Sequence, residues 1–167
     1  MKIFNTKPQW KAIISLVVIM LTAFAEPGQK GGRRVSFPEG IKHIRNIPYA
    51  GTDNPRQMLD LLVPKQRADR PLPIVVYIHG GGWRKGNKTP KLSMVANFAD
   101  SGQYIAASIA YRLSGEVKWP AQVHDCKAAI RWIRVNAEKY GIDPDRIGVW
   151  GASAGGICHP CWEQATV

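Results

Sequence analysis

Gly151-Ala152-Ser153-Ala154-Gly155 closes a short apolar run, Arg146-Ile147-Gly148-Val149-Trp150. A Gly-x-Ser-x-Gly at the end of a strand is the pattern of a nucleophile elbow, with the serine on a sharp strand-to-helix turn. Such a turn crowds its own backbone, and small residues at the two glycine positions relieve the crowding. Ala152 and Ala154 keep the other neighbours small. Alone the pattern is weak, because Gly, Ala and Ser also build ordinary loops. A second stretch strengthens it. Residues 73–78 read as a buried strand and run directly into His79-Gly80-Gly81-Gly82-Trp83. Glycines there let the backbone approach another group closely, since no Cβ stands in the way.

Working outward, the chain alternates strand and helix patterns. Residues 74–78 are apolar throughout and rich in β-branched side chains, as expected of a strand buried on both faces. Residues 91–100 carry Leu92, Val95, Ala96 and Ala99 at helical spacing. Residues 104–110 form another buried strand. Trp119-Pro120 opens an amphipathic helix reaching about Tyr140, with the proline near its first position. Val123, Ile130, Ile133 and Ala137 mark its packed face, and Gly141 stops it. Asp143-Pro144-Asp145 turns the chain into the strand before Ser153. Upstream, residues 43–49 and 57–63 are expected to be a strand pair around the turn cluster at 51–55. The order predicts an α/β fold with a mostly parallel sheet and right-handed crossovers, preceded by an antiparallel pair.

The two ends differ from this body. Residues 1–25 match a cleavable signal peptide: Lys2, Lys7 and Lys11, then an apolar run, then Ala23-Phe24-Ala25. The run is about 13 residues, short of the roughly 20 that span a bilayer. Cleavage after Ala25 gives a secreted or periplasmic protein; an uncleaved N-terminal anchor is the alternative. Residues 26–40 are Gly-, Lys- and Arg-rich and read as a flexible basic linker. Residues 41–156 form the domain. Residues 157–167 shift abruptly in composition, with Pro160 where a helix is expected, and read as an aberrant tail from a frameshift or truncation.

The chain has 167 residues, which favours a single domain, and a formal charge of +11. The basic residues are spread along it without a nucleic-acid motif, so no nucleic-acid partner is expected. Three cysteines are too few for a disulfide scaffold. Cys126 reads as a packed helical residue. Cys158-x-x-Cys161 is an isolated pair and weak as a redox or metal motif. No metal and no cofactor are expected.

His79 to Trp83, Ala110-Tyr111-Arg112-Leu113, Ala129 to Ile133, Gly141-Ile142-Asp143-Pro144 and residues 148–156 occur in an order that resembles exported α/β-hydrolase esterases. The resemblance is to the hormone-sensitive-lipase-like group and to the bifunctional feruloyl/acetyl-xylan esterase-like domain, over residues 43–156. It implies the α/β-hydrolase fold, truncated after the nucleophile elbow. It implies that Ser153 attacks an ester carbonyl and that the amides of Ala154, Gly81 and Gly82 form the oxyanion hole. Gly80 shapes the loop, His79 supports it, and Gly151 and Gly155 permit the elbow. The helix after Ser153 adds a favourable dipole. Arg112 is the family's partner for Asp125; His124 and Asp125, adjacent on a helix, do not face each other. The acid and histidine of a triad should follow the elbow in that order. After Ser153 the chain offers only His159 and Glu163, reversed.

The expected chemistry is therefore a serine hydrolase of carboxylic or carbohydrate esters, incomplete and inactive as this chain. Its substrates would be small-molecule or polysaccharide esters. A non-catalytic exported glycan-binding module, or a relic, is the alternative. A redox protein using Cys158 and Cys161 is the third reading.

Overall fold

A computed structural model of the chain describes residues 36–66 and 69–161. The signal and most of the linker expected at 1–25 and 26–40 lie outside the described residues, as do the last six residues of the tail. Phe37, within the expected linker, packs against the folded body.

The elements are β1 (Ile41–Pro48), β2 (Met58–Pro64), β3 (Leu72–Ile78), α1 (Leu92–Asp100), β4 (Ile105–Ile109), α2 (Ala121–Val135), α3 (Ala137–Tyr140) and β5 (Ile142–Gly151). They form one five-stranded sheet in the order β1-β2-β4-β3-β5. β2 runs antiparallel to β1 and β4, while β4, β3 and β5 are mutually parallel. Four of the five strands therefore point the same way.

Strand side chains alternate between faces, and both faces are covered. Leu59 and Leu61, Ile74, Val76 and Ile78, and Ile105, Ala107 and Ile109 pack in one cluster with Val123, Cys126, Ala129, Ile130 and Ile133 of α2. The intervening Leu62, Tyr77 and Ala106 meet Leu92, Val95, Ala96 and Ala99 of α1 on the other face. This explains why all five residues of β4 are buried. Each fully buried isoleucine contributes about 1.5–3 kcal/mol by leaving water.

Three local expectations differ from the structure. The long helix is interrupted at Asn136, whose φ and ψ leave the helical region, and a short α3 carries the chain to Gly141 in the left-handed conformation. Asp143-Pro144-Asp145 does not precede β5 but lies within it. The β3–β5 register jumps from Leu72↔Ile142 to Ile74↔Ile147, so these residues form a bulge. Beyond Ser153 the backbone follows 3₁₀ geometry over Ser153–Cys161, not an α-helix. Gly155 and Gly156 are poor helix formers and Pro160 lacks an amide donor. The helix dipole expected behind Ser153 is thus not built from these residues.

Candidate active site

The elbow is set by contacts that only glycine allows. β5 ends at Gly151, and Ser153 follows with φ 50°, the left-handed region that a serine seldom occupies. A Cβ on Gly151 would stand 2.3 Å from the carbonyl of Gly155, and one on Gly155 would stand 2.3 Å from Ile78 O. Neither backbone can yield, so the pattern is a packing requirement. The Ala152 amide donates to Ile78 O at 3.2 Å, lacing the turn to the end of β3. Ser153 is exposed and Ala154 buried.

The glycine loop lies against this turn. A Cβ on Gly80 would meet Ala152 O at 2.6 Å and Ser153 Cβ at 3.4 Å. Gly81 and Gly82 have φ of 123° and 58°. The Gly81 carbonyl accepts from the amides of Arg84 and Lys85, which curls the loop. Among the described residues, the amides of Gly81 and Gly82 donate to no partner.

His79 is only 4% exposed. Its Nδ1 donates to Gly80 O at 2.8 Å, its ring stacks on Tyr111 at 4.2 Å, and the Tyr111 hydroxyl donates to His79 O at 2.8 Å. Burial pushes its pKa below the ordinary histidine value; the Gly80 carbonyl opposes this and the Arg56 charge reinforces it. With Nδ1 protonated, Nε2 carries the lone pair, and it has no hydrogen-bond partner within the protein.

Asp125 is 2% exposed and fully committed. Arg112 grips it through Nε (2.8 Å) and Nη2 (2.7 Å) and through its amide (3.0 Å), and Gln57 donates at 2.9 Å. The Arg112–Asp125 pairing that the resemblance implies is present. His124, its neighbour in sequence, is exposed.

Sequence reasoning missed a second buried network. Asp60 accepts from Lys88 Nζ at 2.7 Å, from the Asn46 amide at 2.9 Å and from His43 Nε2 at 3.0 Å. His43 looks like a base with its orienting acid, but its Nδ1 accepts from Arg45 Nε at 3.1 Å. Both ring nitrogens are engaged. Burial raises the Asp60 pKa, yet Lys88, the Asn46 amide and His43 outweigh it and hold the carboxyl below its usual value. The only sequence signal was a Gly-Asn-Lys following the glycines, which reads as an exposed loop.

The BD-FAE family model matches residues 59–159, a stretch spanning β2 to the elbow. The chain belongs to the BD-FAE family. Its similarity extends to Esterase LipC of Mycobacterium tuberculosis, with 34% identity over 114 residues, covering 68% of this chain and 28% of that protein. Among solved structures, Esterase B of Lactobacillus rhamnosis superposes with a TM-score of 0.69 at 25% identity, over 92% of this chain and 45% of that one. A truncated carbohydrate esterase from gut microbiota gives 0.64 at 34% identity, over 73% and 44%. The BD-FAE chain has the α/β-hydrolase fold, and the proteins it is similar to are esterases. It spans less than a third of the curated relative and under half of the solved structures.

Proposed function

We propose that Ser153 is the nucleophile of a carboxylic-ester hydrolase and that the amides of Ala154, Gly81 and Gly82 receive the developing oxyanion. The observation that carries this reading is the elbow itself: an exposed serine at φ 50°, between two glycines that admit no Cβ, directly beside a glycine loop. In the reaction Ser153 Oγ bonds to the ester carbonyl carbon. The alkoxide then leaves with a proton, and water later releases the acyl group. Each oxyanion donor is worth about 3–4 kcal/mol in such sites.

Turnover by the 167-residue chain is slow in this reading. Among the described residues the one histidine–carboxylate pair, His43–Asp60, has both ring nitrogens occupied, and His79 is buried and neutral. An oxyanion hole alone retains some rate over water. The test is acylation by p-nitrophenyl acetate followed by peptide mapping. One acyl group is expected on the Ser153 peptide, with slow release, and none in Ser153→Ala. Acylation elsewhere, or equal acylation of the variant, would overturn the assignment.

For the alcohol part of the substrate we favour carbohydrate. Trp119, 56% exposed, leans on Trp83 at 5.4 Å beside the glycine loop, a flat apolar face that suits a sugar ring. The similarity to a carbohydrate esterase points the same way. Export after Ala25 accompanies this reading, and N-terminal sequencing of the exported protein checks it.

A further inference from the structure

Lys88 is 8% exposed, although lysine is almost never buried unless paired. It stands in the loop of residues 79–91 between β3 and α1, downstream of the three glycines. Its ammonium reaches Asp60 Oδ1 and Asn46 Oδ1, both at 2.7 Å. Its own carbonyl accepts from Ser108 Oγ at 2.7 Å. These partners belong to three strands. Asp60 lies on β2 and pairs with Ser108 of β4, while Asn46 lies in the β1 irregularity between Ile44 and Ile47, at φ 52°.

His43 takes a hydrogen bond from the exposed Arg45 and gives one to Asp60. The buried part of the network holds one ammonium against one carboxylate. A buried pair of this kind contributes little net stability, because desolvation consumes most of the Coulomb gain. What it does is fix one geometry, since any displacement of the loop separates two buried charges. The loop is tied at its start by Tyr111 to His79 O, and near its middle by the Ser114 amide to Trp83 O and by Arg56 to Gly86 O. Lys88 supplies a buried ionic tie at the far end. Between the ties lie Gly81 and Gly82, at positive φ, where glycine has many alternative conformations open to it. Catalysis by fixed dipoles requires that such amides need no reorganisation when charge develops.

We propose that Lys88 is a positioning residue: its ion pair with Asp60 clamps residues 79–91 onto the sheet and thereby holds the Gly81 and Gly82 amides beside Ser153. The clamp is a claim about the loop; its consequence for chemistry rests on the esterase reading above. The experiment compares the full chain with Lys88→Met, Asp60→Asn and the double variant by hydrogen-exchange mass spectrometry. In parallel, the rate of Ser153 modification by an uncharged alkyl phosphonate is measured. In Lys88→Met the expected result is at least tenfold faster exchange in peptides covering 79–87, with α2 and β3 unchanged, and at least tenfold slower modification. Asp60→Asn should behave similarly, and adding Lys88→Met to it should change little more. Unchanged exchange in the loop overturns the proposal, and so does exchange that rises equally in α2 and the loop. If Lys88→Met does not fold, Asp60→Asn alone decides by the same criteria. If wild-type Ser153 is not modified at all, the esterase reading fails, while the exchange comparison still decides the clamp.

Discussion

Ser153 pays for its exposure with backbone strain, since a left-handed non-glycine residue costs about 1–2 kcal/mol. Ser153→Gly relieves this, less the extra chain entropy of glycine of about 0.5–1 kcal/mol. We therefore expect Ser153→Gly to be more stable than Ser153→Ala by about 0–1.5 kcal/mol in urea unfolding, with neither variant acylated. Gly155→Ala should lose at least about 1–3 kcal/mol, because its methyl would lie 2.3 Å from Ile78 O. His79 adds a pH signature. Its folded pKa is depressed, so the stability it contributes is present above the unfolded value near 6.5 and is lost as pH falls through the folded one. Stability measured between pH 7.5 and 5 should fall for the wild type. It should fall less for His79→Asn, whose side-chain amide can still donate to Gly80 O.

Elements were legible where one periodicity ruled them. Leu92, Val95, Ala96 and Ala99 announced α1, and the unbroken apolar runs announced β3 and β4, because burial on both faces leaves no polar alternation. The Asp143-Pro144-Asp145 bulge was not legible, since turn residues and bulge residues are the same amino acids and only the register separates them. The glycines around Ser153 were readable because steric need restricts those positions to one residue type. Lys88 and Asp60 were not: their roles depend on partners 28 residues apart in sequence, and nothing local distinguishes a buried lysine from a solvated one. Asp125 joins α2 to the segment after β4, and Asp125→Ala removes four hydrogen bonds at once. The expected cost in urea unfolding is about 3–5 kcal/mol. It should sit towards the lower value, because Arg112, unlike Asp125, can still reach water.

At the scale of the whole molecule, β5 has a single neighbour among the described residues, β3. Its Trp150 is 42% exposed, and Ile157 just beyond it is exposed as well. An apolar edge strand is a template for pairing between chains. Sedimentation velocity should show association that grows with concentration, and Trp150→Lys should shift it to higher concentration. The strand order has a further consequence, for synthesis. β3 leaves the ribosome before either of its neighbours: β4 starts 27 residues later, and β5 ends only at Gly151. β2 likewise acquires its second partner only when β4 arrives. β3 therefore spends the interval unpaired; the centre of the sheet can be assembled only when β4 arrives, and the β5 edge is added last.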